Sequence, residues 1–199
     1  VGEILVDAWI AQGEANIRND ISPRGPFDNA SRHIETLLKM SPGNTALQLR
    51  RGKALVRSAD FALKKKEDPS IQLATAVGDF TAILNLQPDN MDALYERGRA
   101  LFLLSKAEQN KGGDSRVNLG GAIKDLEALI AKDPSHKQGT YTCADAILFM
   151  GQVDDARGND AFETLTRAVG KFEAALKLDD KNGEFWNGLG NAWLVTVTA

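Results

Sequence analysis

The chain has 199 residues, of which 43% are hydrophobic and 26% are charged, and its formal net charge is −3. This balance supplies no basic surface for a phosphate backbone, so we expect no nucleic-acid binding. No run of about 18 apolar residues occurs, so we expect no membrane insertion. The single cysteine, Cys143, excludes an internal disulfide and leaves the compartment, cytoplasmic or exported, undecided.

The first predicted helix covers "VGEILVDAWIAQGEANI", with Gly13 as its small central residue. The next segment is "SPRGPFDN", whose two prolines and glycine predict a break. A second helix then carries Ala30, Ile34 and Leu37 on one face and stops at Pro42. Only 17 residues separate Gly13 from Ala30, against 24 in later repeats, so we expect a shorter first repeat.

The rest of the chain repeats at a fixed interval. Pro42, Pro88 and Pro134 are each 46 residues apart, and the next step reaches Asp180. Ten residues after each of these positions comes a small residue in a helical phrase: Gly52, Gly98, Ala144 and Gly190. An internal repeat of this size indicates one supersecondary unit stacked on copies of itself. The small residue allows a neighbouring helix to approach closely.

Each repeat contains a second helix that ends at its proline or aspartate. Ala76, Phe80 and Ile83 follow the i, i+4, i+7 spacing of a buried stripe, and similar residues recur in the next two repeats. Three aspartates, again 46 residues apart, precede these helices as predicted N-caps: Asp68, Asp114 and Asp160. Both helices of each pair are therefore expected to be long.

These patterns resemble the tetratricopeptide repeat. The phrase Trp186-x-x-Leu189-Gly190-x-x-Trp193 is similar to the opening of that motif, and Ala76, Phe80, Ile83 and Pro88 match its second half. The interval departs from the usual period of about 34 residues, so this is an extended variant, similar to repeat arrays of larger bacterial proteins. The resemblance implies an all-α, right-handed solenoid of antiparallel helix pairs, with four full repeats and a final single helix. One domain over 1–199 would hold repeats at about 3–42, 43–88, 89–134 and 135–180, and a half-repeat at 181–199.

The resemblance also implies a function. In such arrays the first helix of each pair lines a concave groove that binds a peptide or protein segment, so we expect a non-catalytic scaffold for protein–protein interaction. Transferred by register, the groove residues are Leu49, Lys53, Arg57, Tyr95, Arg99, Tyr141 and Asp145. The alternative interpretation is that these side chains are only the solvated face of the repeats.

No catalytic, cofactor or metal site is predicted. Neither His33 nor His136 has a cysteine or histidine three or four residues away, so a metal site is not expected. Cys143 lies where the motif places a buried apolar residue, which favours a structural thiol over a nucleophile. Asn29 begins a glycosylation sequon, and the sequence does not decide whether it is used.

The two ends lack polar capping helices, and aromatic and apolar residues there predict an end-to-end contact. The residues are Trp9, Phe185, Trp186, Leu189 and Trp193. Two explanations stay open: the chain is part of a longer array, or it is a structural subunit whose copies assemble head to tail into a filament.

Overall fold

The computed structural model describes residues 2–198, which form nine α-helices and no strand. Val1 and Ala199, the limits of the predicted domain, lie outside the described residues. The predicted all-α fold is confirmed. The helices are α1 (Gly2–Arg18), α2 (Arg24–Met40), α3 (Thr45–Lys64), α4 (Ser70–Leu86), α5 (Met91–Asn110), α6 (Arg116–Lys132), α7 (Lys137–Asp155), α8 (Phe162–Leu178) and α9 (Gly183–Thr198).

The helix boundaries follow a common interval. Helices α2, α4, α6 and α8 begin at 24, 70, 116 and 162, and α3, α5, α7 and α9 begin at 45, 91, 137 and 183, in steps of 46 residues. The first pair keeps the same spacing, since α1 ends at Arg18 and α3 ends 46 residues later at Lys64. The expectation of a shorter first repeat is therefore wrong. Val6, rather than Gly13, is the equivalent of Gly52, and the predicted break contains the start of α2.

The turns between paired helices share one backbone geometry. Two residues beyond each of α1, α3 and α5, and at the matching position after α7, one residue has a left-handed φ: Asp20 (56°), Lys66 (61°), Gly112 (74°) and Gly158 (76°). Such a residue ends a helix by turning the chain away from the helical path. The three aspartates predicted as N-caps each lie one residue before the N-cap, which is Pro69, Ser115 or Ala161. The N-cap prediction is therefore wrong by one residue. Asp68, Asp114 and Asp160 still each accept a hydrogen bond from the backbone N–H two residues on, which is the first residue of the helix.

The helices that begin each repeat are capped by side chains. Asn44 accepts the N–H of Leu47, and Asn90 accepts that of Ala93. At the matching position in the third case, His136 accepts the N–H of Gly139 through Nδ1, at 2.9 Å. These bonds satisfy one of the free N–H groups at each helix start.

The chain forms two compact units, divided between Gly113 and Asp114, inside the predicted repeat 89–134. Unit 1 contains α1 to α5 and unit 2 contains α6 to α9. Within each unit, consecutive helices pack on one another around fully buried apolar side chains. These include Phe27, Ile34, Leu73, Phe80 and Ile83 in unit 1, and Leu129, Ile147, Leu165, Phe172 and Phe185 in unit 2.

Three glycines lie under buried side chains of the following helix. A Cβ added at Gly52 would lie 2.5 Å from Cζ of the buried Phe80 on α4, so only glycine leaves room for the ring. Gly151 likewise lies under Leu165 of α8, and Gly13 lies under Phe27 of α2. Each buried ring or leucine contributes about 1.5–3 kcal/mol. The close approach predicted at Gly13 and Gly52 is thus present, whereas an added Cβ at Gly190 would meet no atom within 4 Å among the described residues.

Candidate functional site: the α1/α3/α5 face

Three helices of unit 1 surround a surface cavity. Helices α1, α3 and α5 border a space of about 370 Å³ with polar and apolar walls. Four cations and two carboxylates face it, together with two apolar side chains. The lining residues are Glu14, Ile17, Arg18, Arg57, Asp60, Phe61, Lys64 and Arg99. We call this surface the α1/α3/α5 face.

Ion pairs join the three helices across this face. Arg50 of α3 contacts Asp7 of α1 at 3.0 Å, and Arg57 contacts Glu14 of α1.

Two ion pairs join α3 to α5. Lys53 contacts Asp92 at 3.1 Å, and Asp60 contacts Arg99 at 3.4 Å. Arg50, Lys53 and Arg57 of α3 are thus each held by a carboxylate on a neighbouring helix. Because these pairs are partly exposed, each contributes at most about 1 kcal/mol, but together they fix the directions of the guanidinium groups.

A buried carboxyl lies beside these cations. Glu96 of α5 is only 7% exposed, and its Oε2 accepts no hydrogen bond from the residues that the structure describes. Burial raises the pKa of Glu96, while the positive charges of Arg99, Lys53 and Arg57 oppose that rise. The nearest guanidinium nitrogen, on Arg99, is 3.9 Å away. Glu96 therefore carries an incompletely compensated charge under the face.

The structure brings together only part of the predicted groove. Arg57 and Arg99 line the cavity, and Lys53 is joined to α5 beside them. Leu49 and Tyr95 are half-buried on the same two helices.

Tyr141 and Asp145 belong to α7 of unit 2. Tyr141 stacks on Phe185, with ring centroids 4.8 Å apart, and burial raises its pKa to about 12. It is therefore a packed side chain as much as a surface one.

Sequence reasoning missed two side chains of the cavity, one apolar and one cationic. Phe61 and Lys64 lie four and seven residues after Arg57, which is the spacing of one helix face. Extending the predicted stripe along α3 would have found both. Sequence reasoning also missed a buried ion pair on the other side of α3. Arg51 donates to both carboxylate oxygens of Asp79 on α4, at 2.8 and 2.5 Å.

The predicted end-to-end residues have different surroundings. Trp186 and Trp193 on α9 are 54% and 49% exposed, as that prediction requires. Phe185 is 1% exposed and packs with Ala175 and Leu176, and Leu189 packs against the same cluster. Phe185 is therefore not accessible for the predicted contact, because α9 uses it to bind α8. The role of the half-buried Leu189 stays a prediction.

The other end presents less aromatic surface than predicted. Trp9 of α1 is half-buried and meets His33 edge-on, with ring centroids 5.7 Å apart. His33 is itself half-buried, and its Nε2 is inaccessible. The exposed large apolar residues of α1 are Ile4 and Leu5.

Chemistry-bearing groups are sparse. Within residues 2–198, no three His, Cys, Asp or Glu side chains are grouped so that they could hold a metal ion. Cys143 is buried, and burial raises the pKa of its thiol to about 11, which keeps it protonated. None of the described helices combines the length and apolar character that a membrane crossing needs.

Comparisons with known proteins identify the fold. No protein-family model and no curated protein matches the chain. Among solved structures, "MamA 41-end from Desulfovibrio magneticus RS-1" has a TM-score of 0.60 at 19% identity, covering 94% of this chain and 83% of that one. Another MamA crystal structure has a TM-score of 0.57 at 19% identity, covering 97% and 82%. A thermophilic TPR protein from Thermus thermophilus has a TM-score of 0.44 at 16% identity, covering 95% and 99%. The chain shares the all-helical fold of these MamA structures.

Proposed function

We propose that this chain is a non-catalytic scaffold that binds a protein or peptide segment on the α1/α3/α5 face. The observation that supports the proposal is the cavity of about 370 Å³, in which Phe61 and Ile17 lie among charged side chains. An apolar residue of the partner packs on Phe61, and polar groups beside it meet the surrounding cations. Leu49, Lys53 and Tyr95 extend this surface, whereas the involvement of Tyr141 and Asp145 remains a prediction from the sequence.

The charges of the cavity favour an acidic partner segment. Four cations line it against two carboxylates, which leaves an excess of two positive charges. Arg57 and Arg99 are already held by carboxylates, so their guanidinium groups are ordered before a ligand arrives. Arg18 and Lys64 are the more exposed cations and supply the remaining attraction. Binding through such exposed charges weakens as salt rises.

A peptide-selection experiment tests this proposal. A random peptide library is selected on the full chain, and the selected peptides are expected to combine Asp or Glu with an apolar residue. Arg18→Glu with Lys64→Glu should weaken binding of those peptides about tenfold or more, since two attractions become repulsions. Neither side chain forms a cross-helix ion pair within the described residues, so the fold is preserved.

The matched control reverses two exposed lysines elsewhere, Lys124→Glu with Lys177→Glu, and binding should be unchanged. A Phe61→Ala variant should lose the apolar preference. If no sequence class is selected, or if both double variants bind equally well, the assignment of the face is wrong.

A second candidate function is self-assembly through the end helices, favoured by exposed apolar residues on both. Ile4 is 72% exposed on α1, and Trp186 is 54% exposed on α9. A head-to-tail contact between copies would extend into a filament. Electron microscopy and light scattering of the pure protein test this: fibres support it, and a strictly monomeric chain at high concentration refutes it.

A further inference from the structure

A second cavity of unit 1 adjoins the α1/α3/α5 face. The first turns of α2 and α4 and the C-terminal half of α3 surround a space of about 260 Å³. Phe61 lines both this space and the cavity of the α1/α3/α5 face, so the two cavities meet at one ring. We call the second one the α2/α4 cavity.

Apolar side chains form part of the wall of the α2/α4 cavity. Pro23 and Pro69, which directly precede α2 and α4, are buried and line it. Phe61 is half-buried, and Ile71, which also lines the cavity, is 85% exposed. A ligand that covers Phe61 and Ile71 removes apolar surface from water, which favours binding.

The α2/α4 cavity has the opposite charge to its neighbour. One cation, Arg24, lines it. Three carboxylates line it as well, those of Asp28, Glu67 and Asp68, which leaves an excess of two negative charges. Asp28 is paired with Arg24 at 3.6 Å, and Asp68 with Lys111 at 2.9 Å. Glu67 is exposed and has no ion pair within the described part of the chain, so its carboxylate is available to a cation from outside.

The helix starts do not make this cavity an anion site. The N–H of Arg24, the first residue of α2, donates to Oγ of Ser22 at 3.4 Å. The N–H of Ser70, the first residue of α4, donates to Asp68 at 3.0 Å. The first N–H of each helix is therefore already bonded, and the excess of carboxylates repels an anion.

A buried hydroxyl supplies a hydrogen-bond donor to the cavity. Ser58 of α3 lines it and is 3% exposed. Its Oγ accepts a long hydrogen bond from Nε2 of Gln72, at 3.5 Å, and donates to none of the described residues. A hydroxyl can donate one bond as well as accept, so this group suits a carbonyl oxygen of the kind that a peptide carries.

The size of the cavity suits one side chain. Its volume of about 260 Å³ is below the range of roughly 300–1,000 Å³ that is typical of small-molecule sites. A negatively charged cavity of this size with apolar walls matches a long cationic side chain, whose aliphatic stem packs on apolar surface while its charged end stays near a carboxylate.

We propose that the α2/α4 cavity takes a lysine or arginine side chain of the same partner segment whose acidic residue binds the α1/α3/α5 face. This inference rests on the proposed function and adds the second half of its ligand. The stem of the basic residue packs on Phe61 and Ile71, and its cationic group meets Glu67. Because Phe61 borders both cavities, the acidic and the basic residue are only a few positions apart in the segment.

The opposite charges of the two cavities also fix the direction in which the segment binds. In the reversed direction, the basic residue would meet the four cations of the α1/α3/α5 face, and the acidic residue would meet three carboxylates. Both contacts would be repulsive, and such repulsion excludes the wrong arrangement as effectively as attraction favours the right one. The preferred ligand is therefore a dipolar segment read in one direction.

The peptides selected on the full chain test this inference. They should carry Lys or Arg at a constant short distance from the acidic residue. Replacing that basic residue by norleucine keeps the stem and removes the charge. In fluorescence anisotropy titrations this replacement should weaken binding to the wild type about fivefold, the size expected for one partly exposed ion pair.

Variants of the chain locate the contact. In Glu67→Gln, the norleucine replacement should no longer change the affinity, because the carboxylate that it addresses is gone. The matched control is Glu173→Gln on α8, another exposed glutamate without an ion pair among the described residues. There the replacement should cost the same factor as in the wild type.

The outcomes separate this inference from the proposed function. Peptides that need an acidic and an apolar residue but no basic one, and that Arg18→Glu with Lys64→Glu still weakens, overturn the inference and leave the proposed function standing. An apolar residue selected in place of the basic one also overturns it, as does a norleucine effect that is unchanged in Glu67→Gln. If the Arg18 and Lys64 reversal has no effect, the proposed function fails and this inference fails with it.

Discussion

Replacing Gly52 by alanine tests whether the packing of the Phe80 ring on α3 requires a glycine at this position. The new Cβ would lie 2.5 Å from Cζ and 2.6 Å from Cε1 of Phe80, closer than real contacts allow. Phe80 is fully buried, so its ring moves only by displacing the core around it. Overpacking of this kind costs about 1–3 kcal/mol. The same substitution gains about 1 kcal/mol of helix propensity, which offsets part of the loss.

A second glycine in unit 1 separates these two terms. Gly78 lies inside α4, and an added Cβ there meets no atom within 4 Å. Gly78→Ala therefore gains helix propensity without a clash, and it should raise the free energy of unfolding by about 1 kcal/mol. Subtracting the two variants leaves the steric cost alone, about 1–3 kcal/mol.

Urea unfolding followed by circular dichroism measures both variants. The midpoint of Gly52→Ala should fall below that of Gly78→Ala, with the slope unchanged. Equal unfolding free energies for the two variants would refute the reasoning, because the ring of Phe80 would then have room for the added Cβ.

Three further predictions concern the turn, the buried carboxyl and the thiol. Lys66→Gly should raise the unfolding free energy by up to about 1 kcal/mol, because its φ of 61° disfavours a side chain; urea unfolding measures it, and a loss would contradict it. Burial raises the pKa of Glu96, so its contribution to stability is present at acidic pH and is lost as pH rises through the folded value. Melting curves should show wild type losing stability relative to Glu96→Gln as pH rises above the ordinary carboxyl value of 4.5, and a constant difference would oppose this. Cys143, with a pKa of about 11, should react with a thiol reagent at pH 8 only after unfolding, and rapid native labelling would argue against it.

The fold could be predicted because its determinants repeat. Gly52 and the proline-terminated helices recur at a fixed interval, so even weak local signals add up across copies. The first repeat was misread for a specific reason. Trp9 and Gly13 resemble the opening of the motif. Gly13, however, lies seven residues after Val6, the true equivalent of Gly52, and it is the position on which Phe27 of α2 packs. Counting 46 residues back from Gly52 would have led to Val6, which a search for small residues passes over.

The candidate site was only partly predictable. Register placed Arg57 and Arg99 on one face, because helical position depends on local spacing. Their pairing with Glu14 and Asp60 depends on the separation of neighbouring helices, which no single helix encodes. The burial of Glu96 and of Phe185 likewise comes from packing between helices rather than from their own sequence neighbourhood.

The asparagines that cap α3 and α5 mark equivalent points at which a whole repeat could be removed or inserted. Asn44 and Asn90 form the same cap with the same geometry, so the backbone enters both helices in the same way. Removing residues 45–90 would join Asn44 directly to Met91 and preserve the cap, and inserting a second copy of 45–90 after Asn90 would do the same. We therefore expect removal or insertion of one whole repeat at this joint to keep the helix cap intact, so that the packing between helices alone decides whether the new array folds.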